Sequence, residues 1–205
     1  MSEFLKVVNN RRSANKFLKG VEITRKDIED ILEAVRTAPS SFNLQHAHYY
    51  AGYSEEFKAK MYDASKQYKV TTASGVVIVT GDKQAYQQAE NIYKGTKFLQ
   101  IISEDEFNHI IRLIKKTHES NDESFLHDEA IRNASLSAML FMLAAKDKGW
   151  DTCPMILFDH DQVRDYLNIP EQEEIVLMMA IGKLDTTSNK IRGYRKPLRE
   201  IVTFC

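Results

Sequence analysis

One stretch of the chain constrains its fold more than any other, because it is apolar in every direction. Residues 134–145 read ASLSAMLFMLAA, and a helix over them would have no solvated face for about three turns. A helix that is apolar all round must be covered on every side. The sequence is compatible with two explanations. The stretch is the central core helix of a single domain, or a second subunit covers part of it.

Composition and charge exclude several other classes of protein. The chain has 205 residues, 43% hydrophobic and 28% charged, which is enough for one substantial core. Its formal net charge of −1 creates no overall field that would recruit nucleic acid or an anionic membrane. The longest apolar runs are far shorter than a membrane span of about 20 residues, and the first twenty residues contain no signal-like core. We therefore expect a soluble, cytoplasmic protein with no nucleic-acid or membrane partner.

The order of helical and strand-like segments predicts one α+β domain over residues 1–205. Two runs, residues 76–79 (VVIV) and 175–181 (IVLMMAI), are typical of strands buried on both faces. Residues 83–121 have a helical pattern that is broken near Gly95 and again at residues 103–105, which predicts an excursion of two helices. We name residues 83–121 the helical excursion. A short strand from Trp150 is expected to end at Pro154.

A polar turn lies between an amphipathic helix and an aromatic strand. We name residues 39–43 (PSSFN) the serine turn. Pro39 lacks an amide proton and disfavours helical dihedrals at Ala38, so the preceding helix must end here. Side chains that both donate and accept hydrogen bonds cluster in and just after the turn: Ser40, Ser41, Asn43 and Gln45. A flat heteroaromatic ring edged with carbonyls and N–H groups needs neighbours that both donate and accept hydrogen bonds, and this cluster offers them. By itself, however, the cluster is better explained as an ordinary polar turn.

Both ends of the chain are basic. Near the N-terminus, Arg11 and Arg12 precede Ser13, and the C-terminal tail contains Arg195 in the sequence RGYRKPL. Arginine offers a planar fork of donors that matches a phosphate group. For the N-terminal pair alone, a solvated basic helix end is the commoner explanation.

Taken together and in order, these segments resemble the nitroreductase family of flavoproteins. The resemblance is carried by R-R-S-x-x-x-F from Arg11, P-S-S-x-N-x-Q from Pro39, and a basic R-K-P-L tail from Arg195 that follows a G-K strand end. It covers essentially the whole chain. It implies a homodimer with FMN in two clefts at the subunit interface, a mixed sheet flanked by helices, and a domain-swapped C-terminal strand. The apolar helix would then lie in the dimer core.

The resemblance also implies which residues bind FMN. Phosphate and ribityl contacts are expected from Arg11, Ser13 and Arg195, with Arg12 between the first two. Contacts to the isoalloxazine from the other subunit are expected from Pro39, Ser40, Ser41 and Asn43. Gln67 and Lys69 match a loop at the pyrimidine side of the ring, and Pro154, Ile156 and Leu157 match a turn whose backbone amide points at flavin N5.

Two positions depart from the family pattern. The family often has Arg or Lys where this chain has Asn15, so one positive charge near the flavin is missing. It often has Glu-Gly where Ile156 and Leu157 stand, which implies a narrower or more apolar cleft. Both departures concern substrate class and flavin potential more than FMN binding.

The activity implied is hydride transfer from NADH or NADPH to FMN, followed by reduction of a small acceptor such as a nitroaromatic or a quinone in the same cleft. No G-x-G-x-x-G follows a strand, which is compatible with a nicotinamide that stacks directly on the flavin. The cofactor does the chemistry, so we name no catalytic side chain. A cation such as Lys69 would stabilise the reduced flavin and raise its reduction potential. The alternatives are a flavin carrier or sensor without turnover, and an enzyme of the same scaffold that performs reductive dehalogenation or flavin breakdown.

Other candidate sites are weaker. His46 and His48 could share a strand face as metal ligands, but no third ligand is nearby in sequence, so we expect ordinary histidines and no metal. The pairs Glu55-Glu56 and Glu173-Glu174 are expected at solvated helix or strand starts. Cys153 and Cys205 have no paired spacing, so we expect neither a thiol-rich metal site nor a disulfide, and we interpret Cys153 as a buried structural residue.

Overall fold

The computed structural model describes residues 1–188 and 191–205. Its helices are α1 (Glu3–Asn10), α2 (Arg25–Val35), α3 (Glu55–Ser65), α4 (Tyr68–Thr72), α5 (Ala89–Phe98), α6 (Glu104–Glu119), α7 (Glu123–Asp147) and α8 (His160–Leu167). Its strands are β1 (Ala47–Gly52), β2 (Gly75–Asp82), β3 (Asp151–Met155) and β4 (Glu173–Gly182). The α+β class predicted from the sequence is confirmed.

The four strands form one sheet in the order β1-β2-β4-β3, and every neighbouring pair is antiparallel. The expected mixed sheet is therefore wrong for the single chain. The register gives the reason, because the end of one strand pairs with the start of the next: Gly52 lies opposite Val76, and Asp82 lies opposite Glu173. In the described part of the tail, residues 191–205, a short 3₁₀ turn at Leu198–Glu200 is present and no strand is formed. The domain-swapped strand stays a prediction.

Strand β2 is buried on both faces, as its β-branched run predicted. Val76 and Ile78 pack into a cluster with α3, α4 and α8, while Val77 and Val79 pack into a second cluster with α2 and α7. This division follows from the two-residue period of a strand. The sheet therefore separates two hydrophobic cores.

Helix α7 is only half covered by its own chain. Ala134, Ala138 and Phe141 are buried against the sheet. On the other side, Leu136 is 52% exposed and Met139 is 41% exposed. The interpretation of this helix as a core helix enclosed by a single domain is therefore wrong for the single chain. The second interpretation, cover by another subunit, stays a prediction.

Two predicted boundaries are wrong. Pro154 lies inside β3 rather than after it, which is tolerated because β3 is an edge strand and needs no amide donor on its open side. Gly95 lies inside α5 rather than at a break, whereas the break expected at residues 103–105 coincides with the start of α6, and the helical excursion divides between Phe98 and Ser103. Ser103 begins α6 with a capping box, in which its hydroxyl accepts from the Glu106 amide and the Glu106 carboxylate accepts from the Ser103 amide.

Within residues 1–188 and 191–205, no helix has the length and apolarity needed to span a membrane.

Candidate functional site

The end of α1 is attached to the edge strand β3. Arg11 follows α1 in an extended conformation, and Ser13 forms an isolated parallel bridge with Thr152. The Ala14 amide donates to the Thr152 carbonyl at 3.0 Å. The segment that carries Arg11, Arg12 and Ser13 is therefore held beside β3 by main-chain hydrogen bonds.

The C-terminal tail returns to the same segment. Arg192 Nη2 donates to the Asn9 carbonyl and, at 3.3 Å, to the Arg11 carbonyl. A cavity of about 370 Å³ lies between the two chain ends and one face of α7. We name it the arginine cavity; its lining residues are Val8, Arg11, Arg12, Ser13, Asn15, Met139, Leu143, Ile191, Arg192, Gly193 and Arg195.

The arginine cavity concentrates positive charge. Partial burial lowers the pKa of Arg11, and the nearby charges of Arg192 and Arg195 lower it further. Within the described part of the chain, the ion pairs include none of these three arginines, and the guanidinium groups of Arg192 and Arg195 donate to backbone carbonyls. Because arginine stays charged at neutral pH, the mutual repulsion remains, and an anion in the cavity would relieve it.

A second group of predicted residues follows the same edge strand. Lys69, on α4, donates from Nζ to Cys153 Sγ at 3.4 Å. Cys153 is buried, as expected, and it follows Thr152, the residue that is bridged to Ser13. The strand thus connects the arginine cavity with the only lysine among the predicted FMN contacts. Gln67 immediately precedes α4, and its amide donates to Ser65 Oγ at 3.3 Å.

The end of β3 presents an apolar surface. Pro154 is partly buried in the strand, whereas Ile156 is 68% exposed and Leu157 is 78% exposed directly after it. Two adjacent exposed aliphatic side chains of this size are unfavourable in water, so they indicate a surface that contacts another group.

The serine turn has an unusual backbone. It contains a 3₁₀ turn at Ser41–Asn43, and Phe42 and Asn43 have positive φ angles of 47° and 53°. Such left-handed dihedrals are uncommon for residues other than glycine. The Ser41 amide donates to Asn133 Oδ1 on α7 at 2.8 Å, and the Gln45 amide donates to Ser40 Oγ at 2.9 Å. The side chain of Ser40 therefore stabilises its own turn. This is the role that an ordinary polar turn would give it.

Within one chain, the serine turn lies apart from the arginine cavity. Pro39 and Ser40 line a different cavity of about 360 Å³, together with Asn133 and Ser137 of α7. Met139 and Leu143, which line the arginine cavity, lie on another face of the same helix. The single chain brings together Arg11, Arg12, Ser13, Asn15 and Arg195, and it does not bring the serine turn to them.

The two histidines before and in β1 contact different carboxylates. His46 is buried with Nε2 3.8 Å from Glu129, and the exposed His48 has Nδ1 3.2 Å from Glu173. Glu173 is buried and accepts from Thr80 Oγ1 at 2.5 Å and from the Tyr50 hydroxyl at 3.1 Å. The expectation that Glu173 is solvated is wrong, because side chains of β1 and β2 surround its carboxylate.

Arg192, His118 and Glu129 are not among the residues for which the sequence predicted a role. Arg192 lies three residues before Arg195 in the same basic tail, and this spacing was an available signal. His118 and Glu129 form a buried pair that joins α6 to α7, with Nε2 to Oε2 at 2.7 Å. No local pattern marks that pair, because its members lie on separate helices.

Comparison with known proteins identifies the family. The family model described as "Nitroreductase family" matches residues 8–183 of the chain. The chain belongs to the nitroreductase family. The match includes Arg11, Lys69 and the serine turn, while Arg192 and Arg195 lie beyond its end.

Individual relatives extend over the whole chain. A Bacillus subtilis protein named "Putative NAD(P)H nitroreductase MhqN" is 51% identical over 205 residues, which is all of both chains. The crystal structure of a putative nitroreductase, ydfN, from Bacillus subtilis has a TM-score of 0.96 at 50% identity and covers 99% of each chain. A putative nitroreductase from Exiguobacterium sibiricum, solved in complex with FMN, has a TM-score of 0.91 at 28% identity, covering 100% of this nitroreductase and 98% of the other.

Proposed function

We propose that this nitroreductase binds FMN in the arginine cavity and uses it to oxidise NADH or NADPH and reduce a small acceptor, such as a nitroaromatic or a quinone. The observation that carries the proposal is the meeting of Arg11 with Arg192 and Arg195, which come from opposite ends of the chain. The family, the names of its relatives and the FMN complex of a structural neighbour support it.

The residues present fit FMN. A phosphate group would carry the negative charge that relieves the repulsion among Arg11, Arg192 and Arg195, which form no ion pair within the described residues. Ser13 adds a hydroxyl at the same cavity. Lys69, on α4, supplies a positive charge beside Cys153 of β3. It would contact the pyrimidine side of the ring. Asn15 lines the cavity without a charge, so the phosphate depends on the arginines.

The chain's own residues bind and orient rather than react. Arg11, Arg12, Arg192 and Arg195 would hold the phosphate, and Gln67 and Lys69 the pyrimidine edge. Pro154, Ile156 and Leu157 would form the apolar wall beside the reacting face. When bound, FMN would supply the chemistry, taking up a hydride at N5 and passing the electrons to the acceptor in a second step. No side chain is required as a nucleophile or an essential acid.

We further propose that the active unit is a cytoplasmic homodimer. The serine turn packs against one face of α7, and the arginine cavity lies against another face of the same helix. Residues of the turn would therefore contact FMN that is held by the partner subunit; they are Pro39, Ser40, Ser41 and Asn43. The exposed Leu136 and Met139 on α7 are suited to an apolar interface. The exposed tail residues Ile201 and Phe204 would belong to the swapped strand, and β1 offers an open sheet edge.

The test begins with the chromophore. We expect the purified protein, or the protein mixed with FMN, to show a flavin spectrum, and mass spectrometry of the released chromophore to give FMN. Anaerobic addition of NADH or NADPH should bleach that spectrum, and a quinone or a nitroaromatic should restore it in steady turnover. A colourless protein that never binds FMN contradicts the cofactor assignment.

The same measurement separates the alternatives. A bound flavin that neither nucleotide reduces would contradict the reductase proposal and leave a flavin carrier or sensor. Reduction by a nucleotide without turnover of quinones or nitroaromatics would instead favour an enzyme of the same scaffold with different chemistry, such as reductive dehalogenation or flavin breakdown.

A further inference from the structure

Cys153 lies between two elements that carry predicted FMN contacts. It is 4% exposed on the edge strand β3, and it directly follows Thr152, to which the arginine-bearing segment is bonded. Its side chain packs in the hydrophobic cluster that α3, α4 and α8 form with the sheet. Its Sγ also accepts a hydrogen bond from Nζ of Lys69, on α4, at 3.4 Å. The thiol group therefore contacts both the apolar core and a charged side chain.

The segment that follows the N-terminal arginines joins the same two elements. The Ala14 amide donates to the Thr152 carbonyl on β3 at 3.0 Å, and the Phe17 amide donates to Thr72 Oγ1 on α4 at 3.2 Å. Residues 14–17 therefore connect β3 to α4, and the hydrogen bond from the lysine to the thiol connects them a second time. The ammonium group is thus attached to the strand that also holds the wall of the arginine cavity.

The charge of Lys69 is not cancelled in this arrangement. Within the described residues, Lys69 forms no ion pair, and Cys153 Sγ is the only hydrogen-bond acceptor of its Nζ. An ammonium group has three donors, and a thiol sulfur is a weak acceptor without a formal charge. A carboxylate in the same place would also hold the lysine, but it would oppose its charge. The thiol leaves two donors and the positive charge for another group.

An anchor of this kind matters because a lysine side chain is flexible. Its ammonium group is carried on a four-carbon stem, so without an anchor it samples many positions. The interaction between two charges weakens as their distance grows. A fixed ammonium group beside the flavin therefore stabilises the negative charge of the reduced form better than a mobile one.

We propose that Cys153 is a positioning residue for the reduction potential of the flavin, because its thiol holds the ammonium group of Lys69 beside the pyrimidine side of FMN without neutralising it. This inference rests on the proposed function, since Lys69 meets the flavin only if that proposal is correct. It adds to the structural role that the sequence predicted for Cys153. Cys153 acts through Lys69 and takes no part in the chemical step.

The contact itself is tested on the full chain before FMN is added. NMR relaxation of protein labelled with ¹³C at the ε-carbon of lysine reports how freely each side chain moves, and the Lys69 signal is identified by its loss in Lys69→Met. We expect Lys69 to be restrained in the wild type and in Cys153→Ser, whose hydroxyl also accepts, and to be mobile in Cys153→Ala. Equal mobility in the wild type and Cys153→Ala would overturn the inference, whatever the outcome for FMN.

The effect on the flavin is tested by the midpoint potential of the FMN-loaded protein. Two variants remove the acceptor, one with a smaller side chain, Cys153→Ala, and one with a side chain of similar size, Cys153→Val. At a fixed potential we expect both to shift the ratio of oxidised to reduced FMN about tenfold toward the oxidised form. For a two-electron couple this lowers the midpoint potential by about 30 mV. Cys153→Ser should keep the wild-type potential, whereas Lys69→Met should lower it at least as far as Cys153→Ala.

A double variant distinguishes positioning from a direct effect of the thiol. Lys69→Met combined with Cys153→Ala should have the potential of Lys69→Met alone, because no ammonium group is left to position. Additive shifts would overturn the positioning role. Val163→Ala is the matched control, since it leaves a cavity in the same hydrophobic cluster and should lower stability without changing the potential. A shift in Val163→Ala equal to that in Cys153→Ala would also overturn the role, because it would trace the effect to packing.

The outcomes separate the inference from the function on which it rests. A lowered potential in Lys69→Met, with the wild-type potential in both Cys153→Ala and Cys153→Val, would overturn the positioning role and leave the proposed function intact. A wild-type protein that binds no FMN would overturn the proposed function and the flavin part of this inference. The NMR measurement would then still decide whether Cys153 anchors Lys69.

Discussion

The guanidinium of Arg192 donates a hydrogen bond to the carbonyl of Arg11 at 3.3 Å, although 181 residues separate them in the chain. This contact ties the tail to the end of α1 and brings Arg195 into the same cavity. It explains how two basic segments that are individually ordinary can line one cavity.

We expect Arg192→Ala to weaken FMN binding about as strongly as Arg11→Ala or Arg195→Ala. Each removes a positive charge, and Arg192 also positions the tail. Hydrogen bonds to charged groups contribute about 1.5–3 kcal/mol, so each variant should raise the dissociation constant for FMN by about tenfold to a hundredfold. Fluorescence titration with FMN measures this. Arg25→Ala, on the exposed face of α2, is the control, and equal affinities in all four variants would contradict the phosphate assignment.

Lys69→Met should lower the midpoint potential of bound FMN. The ammonium group of Lys69 would stabilise the negative charge of the two-electron-reduced flavin, so its removal favours the oxidised form. Potentiometric titration with a reference dye measures the change. Lys66→Met removes an exposed lysine that is paired with Asp63, and its potential should equal that of the wild type. A shift in both variants would point to a general charge effect rather than to Lys69.

Acid should destabilise the wild type more than Glu129→Gln. The pKa of Glu129 is lowered in the folded state from 4.5 to about 2, so its stabilisation is fully present above pH 4.5 and is lost as the pH falls toward 2. The difference corresponds to about 3 kcal/mol at most. Urea unfolding at pH 7, 4 and 3 measures it. Parallel loss of stability in both proteins over that window would contradict the ionised state of Glu129.

Leu136→Glu should dissociate the proposed dimer. The side chain is exposed in the single chain, so a carboxylate there costs the fold little, whereas a charge inside an apolar interface costs several kcal/mol. Light scattering after gel filtration gives the mass. Leu113→Glu, at a similarly exposed leucine on α6, is the matched control and should stay dimeric. Identical masses for the two variants would place the interface elsewhere.

Replacing Ile156 and Leu157 by Glu and Gly should change the choice of acceptor. The two exposed aliphatic side chains would contact an uncharged, apolar acceptor, so their loss should raise the KM for a quinone severalfold. FMN affinity should not change, because the predicted contact to N5 is made by the backbone. Steady-state kinetics with one uncharged and one anionic acceptor measures this, and an unchanged ratio of kcat/KM values would contradict it.

The sequence alone determined the features that depend on near neighbours in the chain. Thr24 and Asp27 form the capping box that begins α2, and the β-branched run of β2 made it a doubly buried strand. The order of the arginine, serine-turn and tail motifs was sufficient to indicate the family. The two helices of the excursion were also predicted, apart from the break expected near Gly95.

Only the tertiary structure decided which distant groups share an environment. Glu173 looked like a solvated strand start and is buried, because side chains of β1 and β2 surround its carboxylate. The ring of His118 is buried because Ile114, Glu129 and three aromatic rings surround it, and no single segment contains all of them. The apolar stretch of α7 left open whether its own domain or a second subunit covers it, and one side of the helix is exposed in the single chain. Local pattern sets the type of an element, whereas burial and electrostatics depend on partners that only the folded chain brings within a few ångströms.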